Sequence, residues 1–445
     1  MKIKLFNSLS NSIVELSPIK KGEVSIYVCG PTVYNSSHIG NMRPVVIFDV
    51  LRRFLEYSGY RVQFVSNFTD VDDKIINRAF EQGVSEKFIA DKYIAEYKLL
   101  LSQLNVESAT LNPRVTEYIE RIISYIKDLI KKEAAYVADG DVYFRISSIK
   151  NYGELSKIKV SDLIIGARIE ENDKKESPLD FALWKKTDKG ICWNSPWSKG
   201  RPGWHTECCV MIDSIFPDHL IDIHGGGFDL KFPHHENEIA QAKAQNGNRI
   251  ANIWMHNGFV NIDDEKMSKS IGNVALAKDV IARYGGNATR MLMLSAHYRA
   301  PVNFTSTIME NVANELNRIT ISYKQLSSRL QLENVDISLL KENNMGTFLE
   351  ALADDLNIAN AMSEMFAIIK DVNQKLRFND LDIRSLSVDF KTLHDMFAVL
   401  GFDIQFPLID QRLRDVYFKY LTLKKEKKYE ESDKYRQVLI QEGIL

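Results

Sequence analysis

Residues 27–41, reading Tyr-Val-Cys-Gly-Pro-Thr-Val-Tyr-Asn-Ser-Ser-His-Ile-Gly-Asn, constrain this chain more than any other stretch. Around their start Val24, Ile26 and Val28 alternate with Ser25, Tyr27 and Cys29, the two-residue period of a strand with one buried face. After them, residues 45–55 stay apolar long enough for a buried helix, with Pro44 in a tolerated first-turn position. A strand that ends at Gly30-Pro31 and yields to a helix over His38-Ile39-Gly40-Asn41 aims backbone N–H groups and the positive end of a helix at one spot. Phosphate is the usual guest there, although strand–turn–helix segments with one histidine and two glycines are common without it.

A second stretch bears on that choice. Lys266-Met267-Ser268-Lys269-Ser270 falls between a strand expected near 253–255 and a helix expected over 277–284. Two lysines three apart on a serine-rich loop suit a mobile clamp on a polyphosphate, since each brings a compact charge on a flexible stem. Alone, the loop would read as solvated lysines. In this order and at this separation, His-Ile-Gly-Asn and Lys-Met-Ser-Lys-Ser together resemble the two signatures of class I aminoacyl-tRNA synthetases.

Size and composition fit an enzyme of several parts. A chain of 445 residues exceeds one compact core, and roughly two to four domains are expected. With 45% apolar and 26% charged residues it is an ordinary globular chain, not a fibrous or disordered one. Met1-Lys2-Ile3-Lys4 begins no secretory apolar region, and no run of roughly eighteen apolar residues occurs, so a cytoplasmic protein with no membrane partner is expected. Four cysteines (Cys29, Cys192, Cys208, Cys209) in so long a chain point away from a disulfide framework, toward metal or thiol chemistry. The formal net charge of −2 neither supports nor opposes a nucleic-acid partner, because phosphate contacts need a local basic surface.

The chain divides by texture. Residues 1–114 read as the first half of a Rossmann-like parallel-sheet domain, with a strand over 61–68 and helices to about 104 and from 115. Asp70, Asp72 and Asp73 open a helix there; a carboxylate cluster suits Mg²⁺, while helix capping and solvated charge explain the same residues. Residues 115–200, with charged loops such as 170–176 and a Pro- and Trp-rich run at 195–204, read as a connective insertion between the sheet halves. Residues 201–302 resume the sheet: a strand at 220–224 runs into Gly225-Gly226-Gly227, followed by a helix over 233–245. From 303 the pattern is helical, a bundle over 303–400 and a short further unit over 401–445. Lysines at 424, 425, 427, 428 and 434, with Arg436, would suit a phosphate backbone or simply a soluble surface.

His234 and Glu238 stand four apart on the expected helix and project from one face. Cys29 closes the first core strand and Cys208 lies in Trp204-His205-Thr206-Glu207-Cys208. If the sheet halves fold together, two thiolates, an imidazole and a carboxylate make a tetrahedral Zn²⁺ site; otherwise they are buried cysteines beside a helix histidine.

Among class I synthetases the chain resembles the cysteinyl-tRNA synthetase family over nearly its whole length. The residues that carry the likeness are Tyr27 to Tyr34, Gly203-Trp204-His205-Thr206-Glu207-Cys208, Asp222-Ile223-His224-Gly225-Gly226-Gly227, Phe232-Pro233-His234-His235-Glu236-Asn237-Glu238 and the lysine loop. The resemblance implies a Rossmann-like catalytic domain with an inserted module, followed by an all-α region that binds tRNA. It implies one Zn²⁺ per chain on Cys29, Cys208, His234 and Glu238, binding the thiolate of the substrate, and Mg²⁺ arriving with ATP. It gives His38, Gly40 and Asn41, with Lys266, Ser268 and Lys269, to ATP: His38 to the charge of the transition state, Gly40 to make room for adenosine, and the lysines to the leaving pyrophosphate. Gly30, Thr69, Trp204 and Asp229 would line the cysteine pocket, Asp229 on the ammonium, with His224, His235 and His256 either bonding around it or simply packed in the core. The implied partners are tRNA(Cys), ATP and L-cysteine, and the expected state is a monomer. No separate editing module is expected, because the insertion is small and a metal that reads sulfur makes one unnecessary.

Two departures stand out. Asn41 occupies a position where the class often has histidine, and the chain stops at Gly443-Ile444-Leu445 where the family usually continues, so the anticodon-region unit at 401–445 is expected to be truncated. The rival readings are a ligase joining cysteine to an amino sugar and a non-catalytic relative that binds cysteine or RNA. The helical region from 303 argues against the first; His38, Lys266 and Lys269 argue against the second.

Overall fold

The computed structural model describes residues 1–159, 174–263, 274–378 and 380–444, together with the backbone of 265–266. A hairpin of β1 (Lys4–Asn7) and β2 (Ser12–Glu15) leads into β3 (Glu23–Val28), α1 (Ile39–Tyr57) and β4 (Arg61–Ser66). Helices α2 (Asp73–Gln82), α3 (Glu86–Gln103) and α4 (Ile119–Lys131) follow. Strands β5 (Ala135–Ala138), β6 (Asp141–Phe144), β7 (Phe181–Lys186), β8 (Trp193–Asn194) and β9 (Lys199–Pro202) form a separate antiparallel sheet in the order β5-β6-β7-β9-β8. The core resumes with α5 (Glu207–Ile215), β10 (Ile221–Gly227), α6 (Glu236–Asn246) and β11 (Ala251–Asn257). Next come β12 (Val260–Ile262), β13 (Glu265–Lys266), α7 (Ala277–Tyr284), α8 (Gly286–Leu294) and β14 (Val302–Phe304). The remainder is helical: α9 (Ser306–Leu332), α10 (Gly346–Ala353), α11 (Ile358–Lys375), α12 (Ile383–Leu400), α13 (Gln411–Lys425) and α14 (Tyr429–Gln441).

The central sheet runs β11-β10-β3-β4 with every pairing parallel. From β3 the chain crosses outward to β4; from β10 it crosses the other way to β11. The order therefore reverses between β3 and β10, and the crevice beyond their carboxyl ends is where open α/β sheets bind ligands.

Three local expectations need correction. Helix α1 begins at Ile39, within the expected tetrapeptide, so Pro44 lies inside it and not in its first turn. Burial of Ile39, Met42 and Arg43 outweighs the preference of proline for the first turn. The strand expected at 220–224 does not stop there, since β10 runs on through Gly227 in register with β11. A Cβ at Gly225 would lie 2.2 Å from the Phe48 ring, so glycine is what lets α1 press onto the sheet. Helix α6 starts at Glu236, after a wide turn over Lys231–His235. At Asp70–Asp73 capping prevails: Asp72 accepts from the Lys74 N–H at 2.8 Å, and Asp70 from the N–H and hydroxyl of Thr116 at 3.0 and 2.6 Å. Among the described residues no helix is long and apolar enough to cross a membrane.

Candidate active site and metal centre

Helix α1 presents the first half of the site. His38 caps it in extended backbone, φ −84° and ψ 163°, and its N–H donates to Asn41 Oδ1 at 3.1 Å. No acidic residue occupies the first turn, so the positive helix end stays available to an anion. The Ile39 N–H donates to Ala275 O and the Ala277 N–H to Ser37 O, both at 2.9 Å, which ties the first signature to the chain just beyond the lysine loop. Gly40 and Asn41 line a cavity of about 480 Å³ with Cys29, Gly30, Trp204 and Asp229, a volume within the usual range for small-ligand sites. Gly30 has no freedom to be anything larger: a Cβ there would stand 1.6 Å from the Asn67 carbonyl oxygen, and its N–H donates to Asn67 Oδ1 at 2.9 Å.

The second half is a knot of sulfur, imidazole and carboxylate. Cys29 Sγ and Cys208 Sγ are 3.4 Å apart, although 179 residues separate them in the chain. Cys208 Sγ lies 3.8 Å from His234 Nε2, His234 Nε2 lies 2.9 Å from Glu238 Oε1, and Cys29 Sγ lies 3.7 Å from the same oxygen. One donor atom from each of Cys29, Cys208, His234 and Glu238 falls within 4.8 Å of every other, a spacing that suits a single cation. A second quartet, Cys29, His224, His235 and Glu238, meets the same limit. The first quartet draws on separate segments: Cys29 directly follows β3, α5 carries Cys208, the turn before α6 carries His234, and α6 carries Glu238.

Electrostatics mark the knot as chemically loaded. Burial alone would raise the Glu238 carboxyl, yet the imidazoles of His224 and His234 hold it well below the ordinary carboxylate range. Burial opposes charge on His234 too, but Glu238 and Cys208 raise it to about 10. The hydrogen bond from Cys29 brings the Cys208 thiol down to about 6, while burial and that same thiolate push Cys29 up. The two thiols are thus pushed in opposite directions, and a dication in the knot displaces thiol protons.

The three histidines left undecided from sequence are fully buried and also bonded to the knot. His224 Nε2 meets Glu238 Oε2 at 2.6 Å and its ring stacks on Trp254. His235 Nε2 lies 3.4 Å from Cys29 Sγ, its Nδ1 meets His256 Nε2 at 2.9 Å, and His256 Nδ1 meets Ser8 Oγ at 2.8 Å. Trp204 stacks on His234 with centroids 4.3 Å apart and forms part of the cavity wall. Thr69 is placed differently from the other pocket candidates. It is buried behind the wall, and its hydroxyl donates to Glu207 Oε2 at 2.7 Å. Asp229 is exposed at the cavity rim. Lys266 enters β13 opposite Asn261, while the Lys266 side chain, Ser268 and Lys269 lie outside the described residues.

Sequence reasoning gave no role to Glu207 or His205. Burial raises the Glu207 carboxyl well above its usual range despite the Thr69 bond. His205 Nδ1 meets His234 Nδ1 at 3.1 Å, and burial, reinforced by His234, lowers His205 to about 3, so it stays neutral. Both sit in the same Trp-His-Thr-Glu-Cys run as Cys208, and that adjacency was the available signal.

A family model described as the tRNA synthetases class I (C) catalytic domain matches residues 15–314, and one described as the DALR domain matches residues 347–405. In overall shape the chain is similar to a Mycobacterium tuberculosis methionyl-tRNA synthetase in complex with methionyl-adenylate, with a TM-score of 0.62 at 15% identity over 85% of this chain and 89% of that one. Among curated proteins it is 44% identical to the cysteine–tRNA ligase of Halalkalibacterium halodurans, and equally to that of Oceanobacillus iheyensis, each match spanning 100% of this chain and 97% of the relative. The structural likeness carries the fold alone, but identity at that level along the whole chain narrows the choice, and the chain belongs to the cysteine–tRNA ligase family.

Proposed function

We propose that the chain activates L-cysteine with Mg·ATP and transfers it to tRNA(Cys), and that its metal is zinc held by Cys29, Cys208, His234 and Glu238. The observation that carries the reading is the convergence of these four side chains behind Cys29, which lines a cavity whose wall also includes the N-terminus of α1. Zinc bonds of about 2.0–2.3 Å in a tetrahedron span edges of roughly 3.3–3.8 Å. The separations of 3.4, 3.7 and 3.8 Å in the knot fall in that range, and the hydrogen-bonded His234–Glu238 pair, at 2.9 Å, is closer. When bound, zinc supplies a soft centre that prefers a thiolate to a serine hydroxyl, a distinction that a hydrophobic pocket makes poorly between near-isosteres.

The residues of the chain do the rest by positioning. Asp229 at the rim takes the substrate ammonium, and Trp204 closes the wall beside the side chain. The cysteine carboxylate oxygen attacks the α-phosphorus of ATP, the bond to the β-phosphate bridging oxygen breaks, and pyrophosphate leaves. His38 and the N–H groups of the first turn of α1 stabilise the phosphate charge, Gly40 and Asn41 adjoin the nucleotide, and Lys266, Ser268 and Lys269 hold the leaving group. A hydroxyl of the terminal ribose then attacks the adenylate carbonyl, and AMP and the hydroxyl proton are released. All these groups come from one chain, so the enzyme is read as a monomer, acting in the cytoplasm. Cysteine-dependent ATP–pyrophosphate exchange with serine as control tests the reading: exchange driven equally by both amino acids, or by neither, would sink it.

A further inference from the structure

The far end of α1 is bound into a second buried cluster that the reaction above does not use. Asp49 lies eleven residues beyond His38, about 16 Å along the helix axis. It is buried, and its carboxylate accepts from the Glu107 N–H at 2.9 Å, from Arg53 Nε at 2.9 Å and from Arg290 Nη2. Arg290, fully buried on α8, donates its remaining N–H groups to the carbonyls of Leu400 at 2.6 Å and Leu104 at 2.9 Å. Arg53 donates to the carbonyls of Ala398 at 3.2 Å and Asn105 at 2.7 Å. Ala398 and Leu400 belong to the last turn of α12, where carbonyls run short of helical partners; Ala398 also accepts from the capping Gly401 N–H at 3.2 Å. Gly401 caps that helix at φ +72°, and a Cβ on it would come 2.2 Å from Arg290 Nη2.

One stiff helix thus carries His38 at its first turn and, three turns on, a carboxylate clamped by two arginines to the end of a helix from the DALR-domain region. A helix does not stretch, so a shift of α12 against the core must move α1 or break this clamp. We propose that Arg53 and Arg290 are positioning residues: through Asp49 they transmit the seating of the helical region to α1 and set where His38 stands against the phosphates. The inference rests on the role given to His38 above.

Steady-state cysteine-dependent exchange on the full chain tests it, using Arg53→Gln, Gly401→Ala, His38→Asn and the two double variants, with zinc content and thermal midpoints measured alongside. Arg53→Gln and Gly401→Ala are each expected to lower kcat roughly tenfold with KM for cysteine and zinc content unchanged. Neither is expected to lower kcat further in the His38→Asn background, because a group that acts through His38 has nothing left to position. Losses that multiply fully with that of His38→Asn, or a wild-type kcat in variants whose thermal midpoint falls, overturn the proposal and leave a structural staple. A His38→Asn variant as active as wild type overturns instead the role of His38, and the proposal with it. Should Gly401→Ala fail to fold, Arg53→Gln decides, since that side chain is 13% exposed and its loss leaves the Arg290–Asp49 pair intact.

Discussion

The molecule buries charge in two places and treats it in opposite ways. In the Asp49–Arg53–Arg290 cluster every charge is answered by a fixed partner, and the arginines finish their bonding on backbone carbonyls. In the Cys29–Cys208–His234–Glu238 cluster the groups hold one another in split protonation states, one thiol lowered to about 6 and its neighbour raised. A satisfied cluster is a joint; an unsatisfied one is a receptor. The difference teaches that burial of charge alone does not identify a site, because what distinguishes it is capacity left over for a ligand.

Substitutions can break or sharpen that contrast. The largest effect is expected from Cys208→Ser, which should abolish zinc retention and, with it, the preference for cysteine over serine in exchange; metal content by atomic absorption reads it, and unchanged metal removes Cys208 from the centre. Arg290→Met should come next, costing about 3–5 kcal/mol in urea unfolding because Asp49 is left buried with a lost partner. A cost no greater than that of a surface change would mean that the joint is not a joint. His224→Ala should weaken zinc binding about 10–100-fold, as expected of a residue that orients the ligand Glu238. Complete loss of metal would instead make His224 a ligand and favour the second quartet. Gly225→Ala should cost about 1–3 kcal/mol, since its methyl group must displace the Phe48 ring, and a variant as stable as wild type would show that α1 can lift from the sheet. Phe80→Ser, at a side chain 89% exposed, should change stability by no more than about 0.5 kcal/mol. A larger loss would mean that this surface is covered in the working protein.

Much of the site was legible because its carriers are local. The alternation at Val24, Ile26 and Val28 places Cys29 at a strand end, and the four-residue spacing of His234 and Glu238 foretold that they meet, although His234 sits in the turn before α6 and not on it. What misled was also local: Pro44 suggested a first turn, and three glycines suggested that the strand ended at 224, because propensity weighs a residue without its neighbours in space. The bond from Thr69 to Glu207 was invisible for the same reason, with 138 residues between its partners.

The sequence by itself determined most of the elements, the order of the His-Ile-Gly-Asn and Lys-Met-Ser-Lys-Ser signatures, and the residue types able to hold a cation, since each depends on periodicity or on chemistry within a few positions. Only the tertiary structure decided which histidine meets which oxygen of Glu238, that Cys29 Sγ meets Cys208 Sγ, and that Asp49 meets Arg290 across 241 residues. Long-range pairs leave no period in a chain, because their energy depends on a juxtaposition that exists only once the sheet has closed and the helices have packed on it.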